Sequence, residues 1–297
     1  MSSIGRVLTA MVTPFKEDMS LDYQQSRNLA THLIASGSDG LVISGTTGES
    51  PTLTTDEKLR LFQEIRDELG TSGQVIAGVG NYSTNESIEL AKEAESIGVD
   101  GLLLVVPYYN KPPQEGLYQH FKAIASSTNL PCILYNVPSR TITNLESATT
   151  TRLSEIDNIV GIKEASGDLA QVARIHTSTN DDFKIWSGND SDTYPLIALG
   201  GYGVISVASH LVGKQIKEVI QLTLNEDIAA AKEKHLELMP LFTGLFWMSN
   251  PIPIKYALNK IGFRVGPTRL PLTEMDDDLA KRLDAILITC GFDLKTP

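Results

Sequence analysis

Gly101-Leu102-Leu103-Leu104-Val105-Val106-Pro107 is an unbroken apolar run closed by a proline. A strand with one wet face alternates apolar and polar side chains. A run that does not alternate suits a strand covered on both faces, as in a parallel sheet. Working outward, three similar runs precede it, Val7–Pro14, Gly40–Gly45 and Val75–Gly80. Four follow it, Cys132–Val137, Ile159–Ala165, Lys184–Gly188 and Gly203–Ser209. The gaps between them carry helix signals. Ser83 and Glu86 have capping-box spacing, Ile88, Ala91, Ala94 and Ile97 make one apolar stripe, and Gly98 ends it. Asp168 opens a similar segment containing Leu169, Val172 and Ile175.

Eight strand–helix units in strict alternation predict a closed (β/α)8 TIM barrel, an α/β fold, rather than an open doubly wound sheet with one crevice. The strand signal stops after Leu224. Asp227–Leu238, Ile252–Ile261 and Glu274–Thr289 read as helices, with Pro240, Pro251 and Pro253 as breakers. The organisation expected is a catalytic barrel over residues 1–224 and a C-terminal helical extension over residues 225–297 packed on it.

The chain has 297 residues, 36 acidic and 25 basic, a net charge of −11. That balance disfavours nucleic-acid and anionic-membrane partners, whose charge the protein's own field would repel. Two cysteines, Cys132 and Cys290, do not make a disulfide framework. Met1 to Ala10 carries no export signal, and no apolar run reaches the ~20 residues that span a bilayer. A cytoplasmic location is expected.

In such a barrel, catalytic groups lie where strands end at the C-terminal face. Lys163, after Ile159-Val160-Gly161-Ile162, begins inside an apolar strand. Burial favours a neutral amine, and a neutral amine attacks carbonyls to form Schiff bases. The plainer alternatives are an ammonium that reaches solvent or pairs with Glu164, although strand alternation turns Glu164 the other way. Gly45-Thr46-Thr47-Gly48 offers hydroxyls and loop amides to a carboxylate or phosphate, or is an ordinary turn. Tyr109 and Tyr135 are core aromatics or proton carriers. Arg140 is a carboxylate fork or a solvated loop side chain. The five histidines are scattered, Asp190 and Asp192 lack the other ligands of a calcium loop, and no dinucleotide fingerprint follows the first strand. Neither a metal nor a cofactor is expected.

Together these motifs resemble the pyruvate-dependent class I aldolase family that contains dihydrodipicolinate synthase and N-acetylneuraminate lyase. The likeness runs from Thr9-Ala10-Met11-Val12-Thr13-Pro14-Phe15 to Gly266-Pro267-Thr268-Arg269-Leu270-Pro271, through Gly45–Ser50, Tyr135–Thr141, Gly161–Gly167 and Ser187-Gly188-Asn189-Asp190. In the Thr46-Thr47 pair and Arg140 the chain resembles the synthase branch of that family. That resemblance implies a lyase of the diaminopimelate route to lysine, with pyruvate and L-aspartate 4-semialdehyde as substrates. It implies Lys163 as the Schiff-base lysine, and Tyr135, Thr46 and Tyr109 as a proton relay completed across a subunit interface. Thr46 and Thr47 would hold the pyruvate carboxylate, Arg140 the semialdehyde carboxylate, and Gly188 and Ile205 the backbone wall of the pocket. A homotetramer, a dimer of dimers, is likewise implied. Ser50, Glu86 and Tyr108 match the family's lysine-inhibition cleft, but Tyr82, Thr55 and Lys58 depart from it, so weak or absent feedback is expected. The alternatives are a sugar-acid aldolase of the same family and a catalytically silent keto-acid-binding barrel.

Overall fold

The computed structural model describes residues 4–295. Residues 1–3, the start of the segment read as lacking an export signal, and 296–297, the tail of the expected extension, lie outside the described residues. Eight parallel strands close in sequence order: β1 (Val7–Ala10), β2 (Gly40–Ile43), β3 (Gln74–Gly78), β4 (Gly101–Val105), β5 (Cys132–Asn136), β6 (Ile159–Glu164), β7 (Lys184–Ser187) and β8 (Gly203–Ser206). β8 returns to β1 through Leu8 opposite Ile205. The TIM barrel expected from the apolar rhythm is the fold. Seven strands start at the expected residue, and β3 starts one earlier. Their ends fall short of the apolar runs because the chain stays buried after pairing ceases; Met11 and Val12 are core residues beyond β1.

Each strand is buried on both faces by alternate residues. Leu8, Val42, Ile76, Leu103, Ile133, Trp186 and Ile205 fill the barrel interior. Their neighbours Val7, Leu41, Val75, Leu102, Leu134, Ile185 and Val204 pack outward under the helices. Each such side chain contributes about 1.5–3 kcal/mol by leaving water, so two-sided burial dictates unbroken apolar strands. A Cβ at Gly161 would lie 2.7 Å from the Trp186 ring, so only glycine leaves room there for the indole that plugs the interior.

The helices start where their caps stand. Ser83 accepts from the Glu86 N–H ahead of helix Thr84–Ile97, while the Glu86 carboxylate turns to Asn81 instead of closing the box. Asp168 caps helix Leu169–Ser178. Beyond helix Ser209–Leu224 come Ile228–Gly244, Ile252–Lys260 and Asp277–Thr289. Pro240 does not break the first of these as expected. It sits on the solvent side of the helix, where a missing N–H costs least, and buried Leu241 and Phe242 carry the helix on to Gly244. No helix among the described residues is long and apolar enough to cross a membrane. Both cysteines are free.

Candidate active site

Alternation along β6 decides where its polar residues go. Ile162 faces the outer layer and Ala165 the interior, so Lys163 points inward and Glu164 outward. Glu164 accepts from Asn136 (3.1 Å), Gln171 (3.0 Å) and the Ser166 N–H (2.8 Å), between sheet and helices. It does not pair with Lys163. Lys163 is only 5% exposed, and its Nζ lies 4.3 Å from the centroid of the Tyr135 ring, its cross-strand neighbour on β5. On the other side stands Gly188. A Cβ there would meet Ala165 at 2.5 Å and Lys163 Cε at 3.2 Å, so the missing side chain is the space beside the amine.

Tyr135 also lines a cavity of about 220 Å3, together with Gly45, Thr46, Leu103, Arg140 and Thr141 among others. Its lining mixes apolar Leu103, Val105 and Val137 with polar Thr46, Tyr135 and Arg140, the pattern of a small-molecule pocket. The loop after β2 is tightly held. Ser44 and Glu49 both take left-handed φ, 57° each, the Glu49 N–H donates to Thr46 O (3.1 Å), and Thr13 Oγ1 donates to Gly48 O (2.7 Å). Thr47 is buried and its Oγ1 accepts from Asn250 Nδ2 at 2.8 Å. Arg140, exposed at the rim, donates to the Asn250 carbonyl at 3.3 Å.

The structure thus puts Thr46, Tyr135 and Arg140 in the cavity lining, with Lys163 against Tyr135, Gly188 beside Lys163, and Thr47 joined to Arg140 through Asn250; Ile205 is an interior residue of the barrel. Tyr109 stands apart. It is 94% exposed with φ 71°, and is not part of the cavity lining. Beside the cavity mouth, Tyr82 and Tyr108 stack edge to face at 5.2 Å. Burial pushes the Lys58 ammonium down, opposed by Glu86, and pushes the Tyr108 phenol up.

Two residues at this end escaped the sequence reading. Asp190 was weighed only as a calcium ligand. It is fully buried, accepts from Ser206 Oγ and from the N–H groups of Val207 (3.1 Å) and Ala208 (2.9 Å), and so ties the end of β7 to the end of β8. Burial pushes its carboxyl above the usual range, with those donors and the Lys163 charge pulling the other way. Asn250 was passed over as the residue before a helix-breaking proline. Its side chain holds Thr47 and its carbonyl holds Arg140, a contact across 203 residues of chain that no local pattern announces. Among the described residues no three His, Cys, Asp or Glu side chains gather as a metal site requires.

The dihydrodipicolinate synthetase family model matches residues 3–289. A 4-hydroxy-tetrahydrodipicolinate synthase of Dehalococcoides mccartyi is 60% identical over 282 residues, 94% of each chain. The dihydrodipicolinate synthase structure from Cyanidioschyzon merolae, with lysine bound, superposes with a TM-score of 0.95 at 48% identity, covering 96% of this chain and 97% of that one. The DapA-2 dihydrodipicolinate synthase from Bacillus anthracis gives a TM-score of 0.96 at 43% identity, covering 98% and 100%.

Proposed function

This chain belongs to the dihydrodipicolinate synthetase family, and on that premise we propose how its residues condense pyruvate with L-aspartate 4-semialdehyde to 4-hydroxy-tetrahydrodipicolinate. The reaction is that of a Schiff-base lyase in the diaminopimelate route of lysine biosynthesis. The Lys163 amine adds to the pyruvate ketone and water leaves, giving an imine. Once protonated, the imine is an electron sink, so a methyl proton departs and an enamine forms. The enamine carbon attacks the aldehyde carbon of the semialdehyde, whose own amine then displaces Lys163 as the ring closes. No cofactor enters.

One observation carries this reading: Lys163 is buried inside the barrel, beside the gap at Gly188 and against the Tyr135 ring, which also lines the cavity. Tyr135 carries protons to and from the reacting carbons, passing them through the Thr46 hydroxyl to Tyr109. Thr46 and Thr47 hold the pyruvate carboxylate with their hydroxyls and loop amides. Arg140 takes the semialdehyde carboxylate, and the backbones of Gly188 and Ile205 wall the pocket. The exposure of Tyr109 supports its donation to a partner copy, so the functional form is at least a dimer and, by family pattern, a homotetramer. The net charge of −11 suits small-molecule substrates rather than nucleic acid or membrane. Two free cysteines suit the cytoplasm.

At the cleft of Ser50, Glu86 and Tyr108, the Lys58 ammonium opposes a cationic ligand, so lysine inhibits weakly or not at all; inhibition by micromolar lysine contradicts this. Supplying pyruvate with the semialdehyde, and separately N-acetylneuraminate and keto-deoxy sugar acids, tests the substrate assignment. Turnover is expected with the semialdehyde. Turnover restricted to sugar acids overturns that assignment, and no turnover with any of them favours a silent binding barrel.

A further inference from the structure

Glu49 closes the Thr46–Thr47 loop, yet its carboxylate faces away from the cavity into the fold. The side chain is 1% exposed, and its Oε1 lies 2.6 Å from Nζ of Lys255, itself 2% exposed. Its Oε2 accepts from the Arg269 N–H at 2.9 Å. Lys255, on helix Ile252–Lys260, also donates to Pro267 O at 2.7 Å. The Phe15 ring takes both cations, Lys255 Nζ at 4.1 Å and Arg269 Cζ at 4.3 Å from its centroid. The Arg269 guanidinium is itself fixed, forked on Glu57 at 2.6 and 2.9 Å and bound to Thr52 O at 2.9 Å. Every partner of the Glu49 carboxylate thus comes from the C-terminal segment, which also grips Thr47 through Asn250.

A buried ion pair contributes little net stability, because desolvation of both charges offsets their attraction, and in some proteins its role is to fix geometry instead. Here the geometry belongs to a loop only two residues from Thr47, with the Glu49 N–H bonded to Thr46 O. We propose that Glu49, clamped by Lys255 and the Arg269 amide, is a positioning residue that holds the Thr46–Thr47 hydroxyls and amides in register for the pyruvate carboxylate. The C-terminal segment then shapes the pyruvate half of the site without touching substrate. This rests on the reading of Thr46 and Thr47 as the carboxylate seat. Small displacements of a positioning group are costly, since a misplacement of ~1 Å loses up to ~100-fold in rate.

The test uses the full-length double variant Glu49→Gln/Lys255→Met, which removes both charges and leaves neither buried alone. Two quantities are read: the pyruvate concentration that half-saturates borohydride-trapped adduct on Lys163, and the KM for semialdehyde. Circular dichroism checks that the protein is folded. A rise of about tenfold or more in half-saturating pyruvate is expected, with semialdehyde KM within about twofold of wild type. An unchanged pyruvate value overturns the proposal, as does an equal rise in both, which marks general loosening. If the double variant does not fold, Lys255→Arg keeps the charge and moves it outward. It should raise half-saturating pyruvate alone, and an unchanged value there is equally contrary. Absence of adduct in wild type would instead sink the Schiff-base reading on which the clamp rests.

Discussion

At the scale of single residues, charge and protonation state carry the argument. Arg140 sits at the rim, held by one long hydrogen bond to a carbonyl, so its fork is available to a carboxylate. A charge-assisted pair of this kind is worth ~1.5–3 kcal/mol. Arg140→Ala should therefore raise the KM for semialdehyde about 10–100-fold while pyruvate adduct still forms at near the normal rate. Equal loss of both would make the arginine a support of the fold. His210 lies on the opposite side of the same problem. The Val12 N–H donates to its Nε2 (3.1 Å), so its proton sits on Nδ1 and goes to Val207 O (2.8 Å), and the ring is neutral. Burial pushes it from 6.5 down to about 4. The unfolded chain therefore takes a proton that the folded one refuses between those values. Stability well above pH 6.5 is unaffected, and falls as pH drops through 6.5 toward 4, by on the order of 3 kcal/mol from this group. Urea unfolding at a series of pH values should show this slope, and His210→Gln should reduce the proton uptake on unfolding by about one in that window. An unchanged slope contradicts the assignment.

At the scale of elements, the strand ends place the chemistry, and much of that was legible. Two-sided burial forces unbroken apolar runs, which is why β1, β2 and β4 to β8 start at the residues the runs marked. Alternation then turned Lys163 inward and Glu164 outward before any contact was known. What the sequence hid was long-range. Asn250 meets Thr47, and Lys255 meets Glu49, only because the C-terminal helices fold back over the β2 loop. Pro240 misled because a breaker rule ignores which side of the helix faces water. The β6–β7 corner offers a direct trial. Gly188→Ala adds a methyl group 2.5 Å from the Ala165 Cβ, which can be relieved only by a backbone shift at this corner, and 3.2 Å from Lys163 Cε, which takes up space beside the amine. Adduct formation should slow about 10–100-fold, and the melting temperature should fall because the corner must shift. Wild-type adduct kinetics would show that the space beside the amine is not used.

At the scale of the whole molecule, one chain holds every proposed site residue except the tyrosine that protrudes. Tyr109 is 94% exposed and in a left-handed conformation, and in the proposed relay it reaches into a partner's cavity. Tyr109→Phe should cut turnover about 100-fold or more, within the 100- to 10,000-fold span typical of general acid–base groups, leaving sedimentation and pyruvate adduct intact. Loss of oligomer instead would assign the phenol to assembly. The measurement that bears most directly on the mechanism is mass spectrometry of peptides from protein treated with pyruvate and borohydride. A Schiff-base lysine requires a reduced pyruvyl adduct on the peptide carrying Lys163 and none in Lys163→Ala. An adduct on another lysine, or full turnover by Lys163→Ala without any adduct, would contradict it.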